Sequence, residues 1–509
     1  MSNPLPHPEI TILSAERRVR QGEALLQQGR HDAALAAADA VLLEMPALAS
    51  AWLLRGAACK ALGRLAEAAE AYRFILSLFP DFTQMYINLA NVCIALDDLA
   101  EAETQLCEAI ARNPDSAAAH ANLGSLYMRL ECFDLAETMT RKALAADPSL
   151  IAARQNLAAI LALRDDPEAD AHRDIAYRRK QLFVETSPGA RRTALILASS
   201  GSGNVPYLHL LPRARYNHIL WHLDYAPPGQ EKNLPAHDFV FNAVADPDAA
   251  AAAHSAAEHF TYVCARPLLN APGRVARTVR SQMPALLASI PDAVIPDTRR
   301  FARGDGDPGE AIRASGLRFP LIVRPAGRHG GEGVQLVRSA AALEAKLPRC
   351  ETLYVTEFVD YRSPDSWYRK YRVIFVDREP YPYHLAIGAR WLLHYRSADM
   401  QTGPARRAEE AAFLRDPSAA LGPRAMAALR AIAARLDLDY AGIDFSLLPD
   451  GRLLVFEANA TMLVHPEEDP LFAYKNTAVD AIVAAVDAMT SRRLEPRPQQ
   501  FVTQPGFAA

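Results

Sequence analysis

The chain has 509 residues, half of them apolar, which is enough material for more than one hydrophobic core. Its formal net charge of −4 gives no general electrostatic reason to expect binding to nucleic acid or to a membrane. The six cysteines form neither a CxxC pair nor a Cys/His cluster with zinc spacing, so we expect reduced thiols. No run reaches the roughly 18 apolar residues of a spanning helix, and the first residues lack the apolar core of a signal peptide. These features predict a cytoplasmic protein.

The first third of the chain repeats itself every 34 residues. Prolines that would close a helix pair keep this step at Pro46, Pro80, Pro114 and Pro148. Small residues that let helices approach closely keep it at Ala34, Ala68, Ala102 and Ala136. Together with bulky residues such as Trp52 and Tyr86, the pattern resembles the tetratricopeptide-repeat (TPR) family, whose unit is a helix–turn–helix. The resemblance implies an all-α solenoid over residues 1–164, with four repeats and a capping helix.

An asparagine keeps the same 34-residue step at Asn88, Asn122 and Asn156. In the TPR family this position faces the concave groove, so the resemblance implies a peptide or protein partner on the concave face. The alternative is that asparagine is simply the common residue of the family at this position.

Residues 165–192 are charged and lack a clean period, and they predict a linker with one connecting helix around 171–183. Beyond them, short apolar runs at 194–199, 218–225 and 237–246 alternate with helical stretches. This alternation predicts a parallel sheet with helices on its faces, over residues 193–290. For the GSGN sequence after the first run, an ordinary turn is favoured over a phosphate loop.

A glycine-rich segment begins at residue 318 and reads RFPLIVRPAGRHGGEGVQLV. Arg324 places a cation at the end of its first predicted strand. The glycines that would let backbone amides approach phosphate oxygens are Gly327, Gly330, Gly331 and Gly333. A cation beside such a loop predicts a site for nucleotide phosphates, although a glycine-rich hairpin alone would indicate a plain turn.

Two later strands carry charges among apolar residues. Glu357 lies within the predicted strand 354–359. Lys370 and Arg372 alternate with apolar neighbours in the following strand, so they share one face of the sheet. A cationic face opposite a phosphate loop would neutralise phosphate charge. An exposed edge strand with ordinary charges is the alternative.

The sharpest signal is the predicted hairpin YAGIDFSLLPDGRLLVFEANA. Asp444 lies on its first strand, and Glu457 and Asn459 lie two residues apart on the second, so these two share one face. Two carboxylates and an amide are costly to bury among apolar residues. Oxygen ligation of a hard divalent cation removes that cost, and we therefore predict Mg²⁺ (or Mn²⁺) bridging ATP phosphates.

The segments VRPAGRHGGEGV, TEFVD, YRKYRVIFVD, GIDF and VFEANA, in this order, resemble the ATP-grasp superfamily. The similarity is greatest to the branch that includes glutathione synthetase and ribosomal-protein glutamate ligases. It implies a multidomain chain in which the TPR solenoid precedes an α/β pre-ATP-grasp domain (193–290) and an α+β ATP-grasp domain (291–490). Residues 491–509 are expected to form a disordered tail.

The resemblance also implies site residues. Asp444, Glu457 and Asn459 match the metal ligands of the family, and Arg324 and Arg372 match the cations that face ATP phosphates and the acyl-phosphate. The position of Arg324 is usually lysine, so the sequence departs from the family there.

Nucleotide contacts follow from the same resemblance. The glycine-rich loop, with Gly330, Gly331 and Gly333, would bind phosphates. Glu357, with the backbone of Phe358 and Val359, would hold adenine. Asp365 or Asp360 would meet the ribose, since an insertion leaves that alignment open. A further phosphate cation could be Arg280, Arg300 or Arg303.

Three histidines and one basic loop leave alternatives open. His329 and His384 could orient substrate or be incidental, and His465 could contact an amine substrate. The loop 391–412 could cover the site, read an acidic substrate, or be a solvated loop. Its arginines, with the one just before it, are Arg390, Arg396, Arg406 and Arg407.

The family resemblance implies an ATP-dependent carboxylate–amine ligase that works through an acyl-phosphate. Its substrates would be ATP, a small carboxylate and an amine, one of them possibly part of a peptide or protein bound by the TPR arm. Two alternatives are a non-catalytic TPR scaffold with a nucleotide-binding sensor domain, and a phosphotransferase on the same fold. The sequence identifies neither the carboxylate nor the amine.

Overall fold

The computed structural model describes residues 8–328, 331–348, 350–395 and 398–495, without the side chains of residues 8–11 and 305. The described chain divides into two compact units. The first runs to Gln181 and includes Thr186–Ala190, and the second consists of Leu182–Glu185 and the chain from Arg191 onward.

The first unit is built of helices that pack in consecutive pairs. They are α1 (Pro8–Gln27), α2 (His31–Glu44), α3 (Ala49–Ala61), α4 (Leu65–Leu78), α5 (Thr83–Ala95), α6 (Leu99–Arg112), α7 (Ala117–Arg129), α8 (Phe133–Ala146), α9 (Ile151–Ala162) and α10 (Glu168–Arg179). The predicted all-α solenoid is thereby confirmed, and the 34-residue step is the length of one helix pair with its turns.

Small residues set how closely the helices of a pair approach. A Cβ atom added at Gly56 in α3 would lie 2.6 Å from the ring of Tyr72 in α4, which is closer than real Cβ contacts come. The alanines that keep the repeat step, Ala34, Ala68, Ala102 and Ala136, are fully buried. The repeat in the sequence therefore marks the helix–helix contacts of the core.

The turn inside each helix pair needs a left-handed residue at one fixed position. Gly29 and Gly63 occupy it with φ of +75° in both. In the later repeats the same position is Asp97, Glu131 and Asp165, with φ between +54° and +66°. The later repeats therefore keep the left-handed backbone conformation of the turn, although the glycine that marks this turn in the sequence is replaced.

Residues 165–192, predicted to be a linker with one connecting helix around 171–183, contain helix α10 and then a short strand. Helix α10 packs on α9, and it buries Ala169 and Ala176 between charged residues. The helix begins three residues earlier and ends four residues earlier than predicted. Strand β1 (Leu182–Glu185) follows and pairs with a strand of the second unit.

The second unit begins with a sheet formed by β1, β2 (Arg192–Ala198), β3 (Tyr216–His222), β4 (Phe239–Asn242) and β5 (Leu268–Leu269). Its order is β1-β3-β2-β4-β5, and all pairs are parallel except β1 with β3. The predicted parallel sheet is therefore confirmed, with an antiparallel edge strand taken from the segment predicted to be a linker.

Two further sheets follow. Their strands are β6 (Ala293–Val294), β7 (Thr298–Ala302), β8 (Leu321–Pro325), β9 (Gln335–Val337), β10 (Thr352–Glu357), β11 (Tyr368–Val376), β12 (Glu379–Gly388), β13 (Tyr440–Leu447) and β14 (Leu453–Asn459). The second sheet has the antiparallel order β7-β10-β8-β9, and the third has the order β12-β11-β13-β14-β6. The second sheet has a small core of its own, whereas the first and third sheets share one large core.

The helices of this unit are α11 (Ala251–Thr261), α12 (Pro272–Ala276), α13 (Met283–Leu287), α14 (Pro308–Ala314), α15 (Leu343–Lys346), α16 (Pro404–Arg415), α17 (Pro417–Leu436) and α18 (Asn476–Leu494). Helix α18 packs on β11 and β12 and continues past residue 490, so the tail expected at 491 does not begin there. Over the described ranges, no helix combines the length and apolar character that crossing a bilayer demands.

Candidate active site

A cavity of about 990 Å³ lies between the second and third sheets of the second unit. Strands β8 and β10 contribute Ile322, Arg324 and Thr356 from one side. Strands β11 and β14 contribute charged residues from the other side, Lys370, Arg372 and Glu457 among them. Arg324, Lys370 and Arg372 thus line a single cleft together with two of the predicted metal ligands, Glu457 and Asn459.

Arg324 is a largely buried cation in this cleft. Its Nη2 donates to the backbone oxygen of Arg328 at 2.7 Å, which ties the guanidinium to the start of the glycine-rich turn. Burial, with the positive charge of Arg280, lowers the pKa of Arg324 to about 10. A buried guanidinium held this way is well suited to an anionic ligand.

Arg280, three residues before α13, is one of the three arginines that the sequence left open as a further phosphate cation. It lines the cleft and forms an ion pair with Glu457. The other two candidates make other contacts. Arg303 Nε donates to the Cys350 backbone oxygen at 2.9 Å, and Arg300 Nη2 donates to Thr352 Oγ1 at 3.4 Å.

Asp444 lies beneath the cleft on β13 and is fully buried. It accepts hydrogen bonds of 2.6 and 2.9 Å from Arg372 Nε and Nη2, and Lys370 Nζ lies 2.6 Å from Oδ2. Burial by itself raises the pKa of the Asp444 carboxyl, but Arg372 and Lys370 outweigh it and hold this pKa well below its ordinary value. Lys370 and Arg372 lie two residues apart on β11 and therefore share one face of the sheet. Both reach the Asp444 carboxylate, which agrees with the shared face predicted from the sequence.

Glu457 and Asn459 complete the predicted metal set on β14. Asp444 and Glu457 are directly opposite in the antiparallel register, so their side chains share a face. Burial raises the pKa of Glu457, but Arg280 opposes it and the result is a pKa of about 2. The Oδ1 of Asn459 accepts from Thr461 N at 3.0 Å and Thr461 Oγ1 at 2.8 Å.

The donor chemistry of this set fits a hard divalent cation. Two ionised carboxylates and one amide oxygen on neighbouring strands are oxygen ligands of the kind that Mg²⁺ prefers. Within the described residues, no group of three or more His, Cys, Asp and Glu side chains is arranged to hold a metal. The predicted set contains only two carboxylates, so a metal here would need oxygen atoms from its bound ligand as well.

The glycine-rich turn is only partly described. Gly331 lines the cleft with φ of +81°. Gly333 has φ of +67°, and a Cβ there would lie 2.9 Å from the Pro325 side chain, so the close return of the hairpin requires glycine. Gly330 and His329 lie outside the described residues.

The predicted adenine hinge, Glu357, Phe358 and Val359, lines the cleft. The Phe358 N–H donates to the Pro320 oxygen at 2.9 Å. Arg318 holds the Glu357 carboxylate by side-chain and backbone hydrogen bonds of 2.9 Å, and this pairing lowers the pKa of Glu357. Backbone atoms of the hinge are therefore better placed than the Glu357 side chain to meet a ligand.

Asp365, predicted to meet the ribose, is paired away from the cleft. Asp365 accepts two hydrogen bonds, of 2.8 and 3.0 Å, from Arg369 and does not belong to the cleft lining. Its alternative, Asp360, is also outside that lining. Asp399 lines the cleft instead, and it comes from the loop after β12, where the sequence offers no periodic signal.

The histidines and arginines whose roles the sequence left open differ in whether they line the cleft. His384 is buried against Tyr395 and does not line the cleft, and neither does His465. Arg390 lines it. Arg406 and Arg407 instead donate to backbone oxygens of residues 399–401, which makes them structural, and Arg396 lies outside the described residues.

Further residues line the cleft to which the sequence assigned no individual role. Tyr361 is one of them, and Trp391 is another, from the loop 391–412 that the sequence allowed to cover the site. Gly203 and Asn204 of the GSGN turn also line it, so this turn is part of the cavity wall. Asn204 is nevertheless occupied in the turn itself, because its amide bonds Ser199 and Gly201.

In the first unit, the repeated asparagines form a half-buried polar row. Asn122 Nδ2 donates to Asn91 Oδ1 at 3.2 Å, one repeat earlier. Asn156 Nδ2 donates to Ser125 Oγ at 2.8 Å, again one repeat earlier. The row therefore joins neighbouring repeats.

Comparison with known proteins addresses this helical part. Family profiles described as tetratricopeptide repeat match residues 19–81 and 60–126. Residues 19–126 are tetratricopeptide repeats. The TPR repeats indicate a protein partner for the chain. No curated protein matches the chain.

Several solved TPR structures are similar to about a third of the chain. A thermophilic TPR protein of Thermus thermophilus is 26% identical, with 33% of this chain and 91% of that chain covered and a TM-score of 0.29. MamA from Desulfovibrio magneticus is 21% identical, covering 33% and 96%, with a TM-score of 0.30. PilW, a type IV pilus biogenesis factor, is 24% identical, covering 33% and 77%, with a TM-score of 0.30.

Proposed function

We propose that the second unit is an ATP-dependent carboxylate–amine ligase of the ATP-grasp type. The observation that carries the proposal is the cleft between two sheets, which is lined by Arg280, Arg324, Arg372 and Glu457. In it Arg280 pairs with Glu457, and Arg372 pairs with the buried Asp444. Buried cations and carboxylates together suit a ligand that brings both phosphate charge and a metal ion.

The reaction needs positioning and charge rather than a nucleophilic side chain. An oxygen of the substrate carboxylate attacks the γ-phosphorus of ATP, and ADP leaves. The amine nitrogen then attacks the acyl carbon of the acyl-phosphate, phosphate leaves, and an amide is formed. Arg324 and Arg280 would neutralise the ATP phosphates, and Arg372 would face the transferred phosphoryl group.

Asp444, Glu457 and Asn459 would hold Mg²⁺ or Mn²⁺, which would polarise the phosphate oxygens. Metal binding would compete with the ion pairs that Asp444 and Glu457 make with Lys370, Arg372 and Arg280. Lys370, Arg372 and Arg280 would then be free to pair with the ATP phosphates. In the loaded site the metal ion would balance the carboxylates, and the phosphates would balance the basic side chains.

The TPR unit supports a peptide or protein as the source of one substrate. Its polar row of asparagines and their partners offers hydrogen-bonding groups to an extended chain. A non-catalytic scaffold that only senses nucleotide, and a phosphotransferase, are the competing functions. A site that only binds ATP with a metal ion would use the same buried charges, so the reaction products separate these functions.

The test is release of phosphate from ATP with Mg²⁺, screened over amino acids and peptides. Arg372→Lys should lower turnover by about 100-fold or more, because a bidentate guanidinium is lost. Arg369→Lys, on the same strand, is the matched control, since Arg369 pairs with Asp365 and Glu409 outside the cleft. It should keep activity near wild type.

The products separate the alternatives. An amide with equimolar ADP and phosphate supports the ligase. A phosphorylated product without an amide would favour the phosphotransferase. ATP binding without turnover on any acceptor would favour the sensor, and no ATP binding would refute the nucleotide site itself.

A further inference from the structure

Residues 389–395, here called the strap, lead away from the end of β12 along the cleft. Arg390, Trp391 and Leu392 of the strap line the cavity together with the hinge residues Phe358 and Val359. Trp391 is half-buried. The strap therefore contributes an aromatic ring to the wall of the cavity from outside both sheets.

Contacts on both sides of Trp391 hold the strap in place. The Tyr361 hydroxyl donates to the Trp391 backbone oxygen. Farther along, the Tyr395 hydroxyl donates to the buried Glu410 carboxylate at 2.9 Å. Between them, Leu393 packs so closely on Gly388 that a Cβ there would lie 2.7 Å from Leu393 Cδ1. Trp391 is thus positioned by packing on each side.

The surroundings of Trp391 are aromatic. Its ring lies 5.5 Å from that of Phe358, at 82°. Tyr361 stacks edge-on against Phe456 at 4.8 Å, and Phe456 lines the same cavity from β14. This part of the cleft is walled by flat, apolar groups that suit a heteroaromatic ring.

Arg324 marks a second part of the cleft, away from these aromatic rings. Arg324 is in register with Tyr354 on β10, four residues before Phe358. Four residues of an extended strand span roughly 13 Å. A ligand that reaches both parts needs a flat base at one end and phosphates at the other, which describes a nucleotide.

We propose that Trp391 is a nucleotide-binding residue whose indole packs against the purine base. This inference rests on the proposed function, because it assumes that the cleft binds ATP. It assigns the strap to the nucleotide rather than to the carboxylate or amine substrate. Tyr361 is then a positioning residue that holds Trp391 through its backbone oxygen.

The test measures dissociation constants of ATP with Mg²⁺ by calorimetry on the full chain. Trp391→Ala should weaken ATP binding by about 10-fold or more, the usual effect of losing an aromatic platform under a base. Trp391→Phe should recover most of the affinity. Trp367→Phe is the control, because Trp367 lies under Arg406, at 4.6 Å, and outside the cleft lining.

Inorganic triphosphate separates base binding from damage to the fold. It carries no base, so its affinity should be the same for wild type and Trp391→Ala. An equal loss for ATP and triphosphate would overturn the inference, because the effect would not depend on the base. Unchanged ATP affinity in Trp391→Ala would overturn the role of Trp391 but leave the proposed function standing. A wild-type protein that binds no ATP would overturn both.

Discussion

Arg372 and Asp444 are Cα partners on adjacent strands β11 and β13, and two hydrogen bonds of 2.6 and 2.9 Å join their side chains. The carboxylate is fully buried, and Lys370 reaches the same group. One carboxylate therefore compensates two cations. Removing it should affect the stability of the second unit as well as any reaction in the cleft.

Asp444→Asn should lower the free energy of unfolding of the second unit by about 3–5 kcal/mol. That is the usual cost of breaking a buried ion pair and leaving its cations without a counter-charge. The measurement is urea denaturation at pH 7. The control is Asp450→Asn in the exposed turn of the same hairpin, which should change stability by less than about 0.5 kcal/mol. Equal effects of the two substitutions would show that the buried pairing is not important for stability.

His384 should make the second unit sensitive to mild acid. Burial, and then the charge of Arg372, hold the pKa of His384 well below its ordinary value. The folded form therefore binds fewer protons than the unfolded form, and the free energy of unfolding should fall as the pH drops below about 6.5. His384 alone would contribute a slope of up to about 1.4 kcal/mol per pH unit.

The measurement is denaturation of wild type and His384→Gln between pH 7 and pH 5. The variant should lose part of the pH slope, and the same substitution at the exposed His259 should not. A slope that is identical in wild type and His384→Gln would contradict the prediction.

Tyr354→Phe should loosen the second sheet. The Tyr354 ring is buried on β10, and its hydroxyl donates to Asp248, which follows the first sheet after β4. Loss of this charge-assisted bond should cost about 1.5–3 kcal/mol while the ring packing is kept. Hydrogen exchange of the amides in β8 and β10 should become faster. Exchange rates that equal those of wild type would mean that the bond does not hold the two sheets together.

Gly56→Ala should destabilise the first unit by about 1–3 kcal/mol, because the added methyl group meets the Tyr72 ring at 2.6 Å. One repeat later the equivalent residues are Ala90 and Leu106, both buried. The double variant Gly56→Ala with Tyr72→Leu imitates that pair. Its loss of stability should therefore be smaller than the sum of the losses in the two single variants. A double-mutant cycle of thermal denaturation would measure this difference.

Local patterns explain why much of the fold could be read from the sequence. The 34-residue step at Pro46, Pro80 and later prolines reports helix pairs directly, because each pair contacts only its neighbours. The charge positions on β11, β13 and β14 follow from the two-residue period of strands, which places Glu457 and Asn459 on one face whatever the tertiary structure.

Contacts distant in the chain could not be read in this way. Asp365 and Asp399 both follow hydrophobic strands, and only the packing of the loop after β12 brings the second to the cleft. The choice of Arg280 over Arg300 and Arg303 depends on the approach of the segment before α13 to β14, which no local periodicity encodes. The sequence places the ends of helix α10 three and four residues too late, because Ala169 and Ala176 are its only buried residues in the described chain and give little periodicity.

Arginine at position 324 has a consequence for how the charge of the cleft responds to pH. Burial, with the positive charge of Arg280, lowers the pKa of Arg324 to about 10, so the guanidinium stays charged near neutral pH. A lysine starts from a lower pKa, about 10.4, so it has less room to be lowered before it loses its charge. Arginine therefore keeps this buried position cationic over a wider range of pH than lysine would.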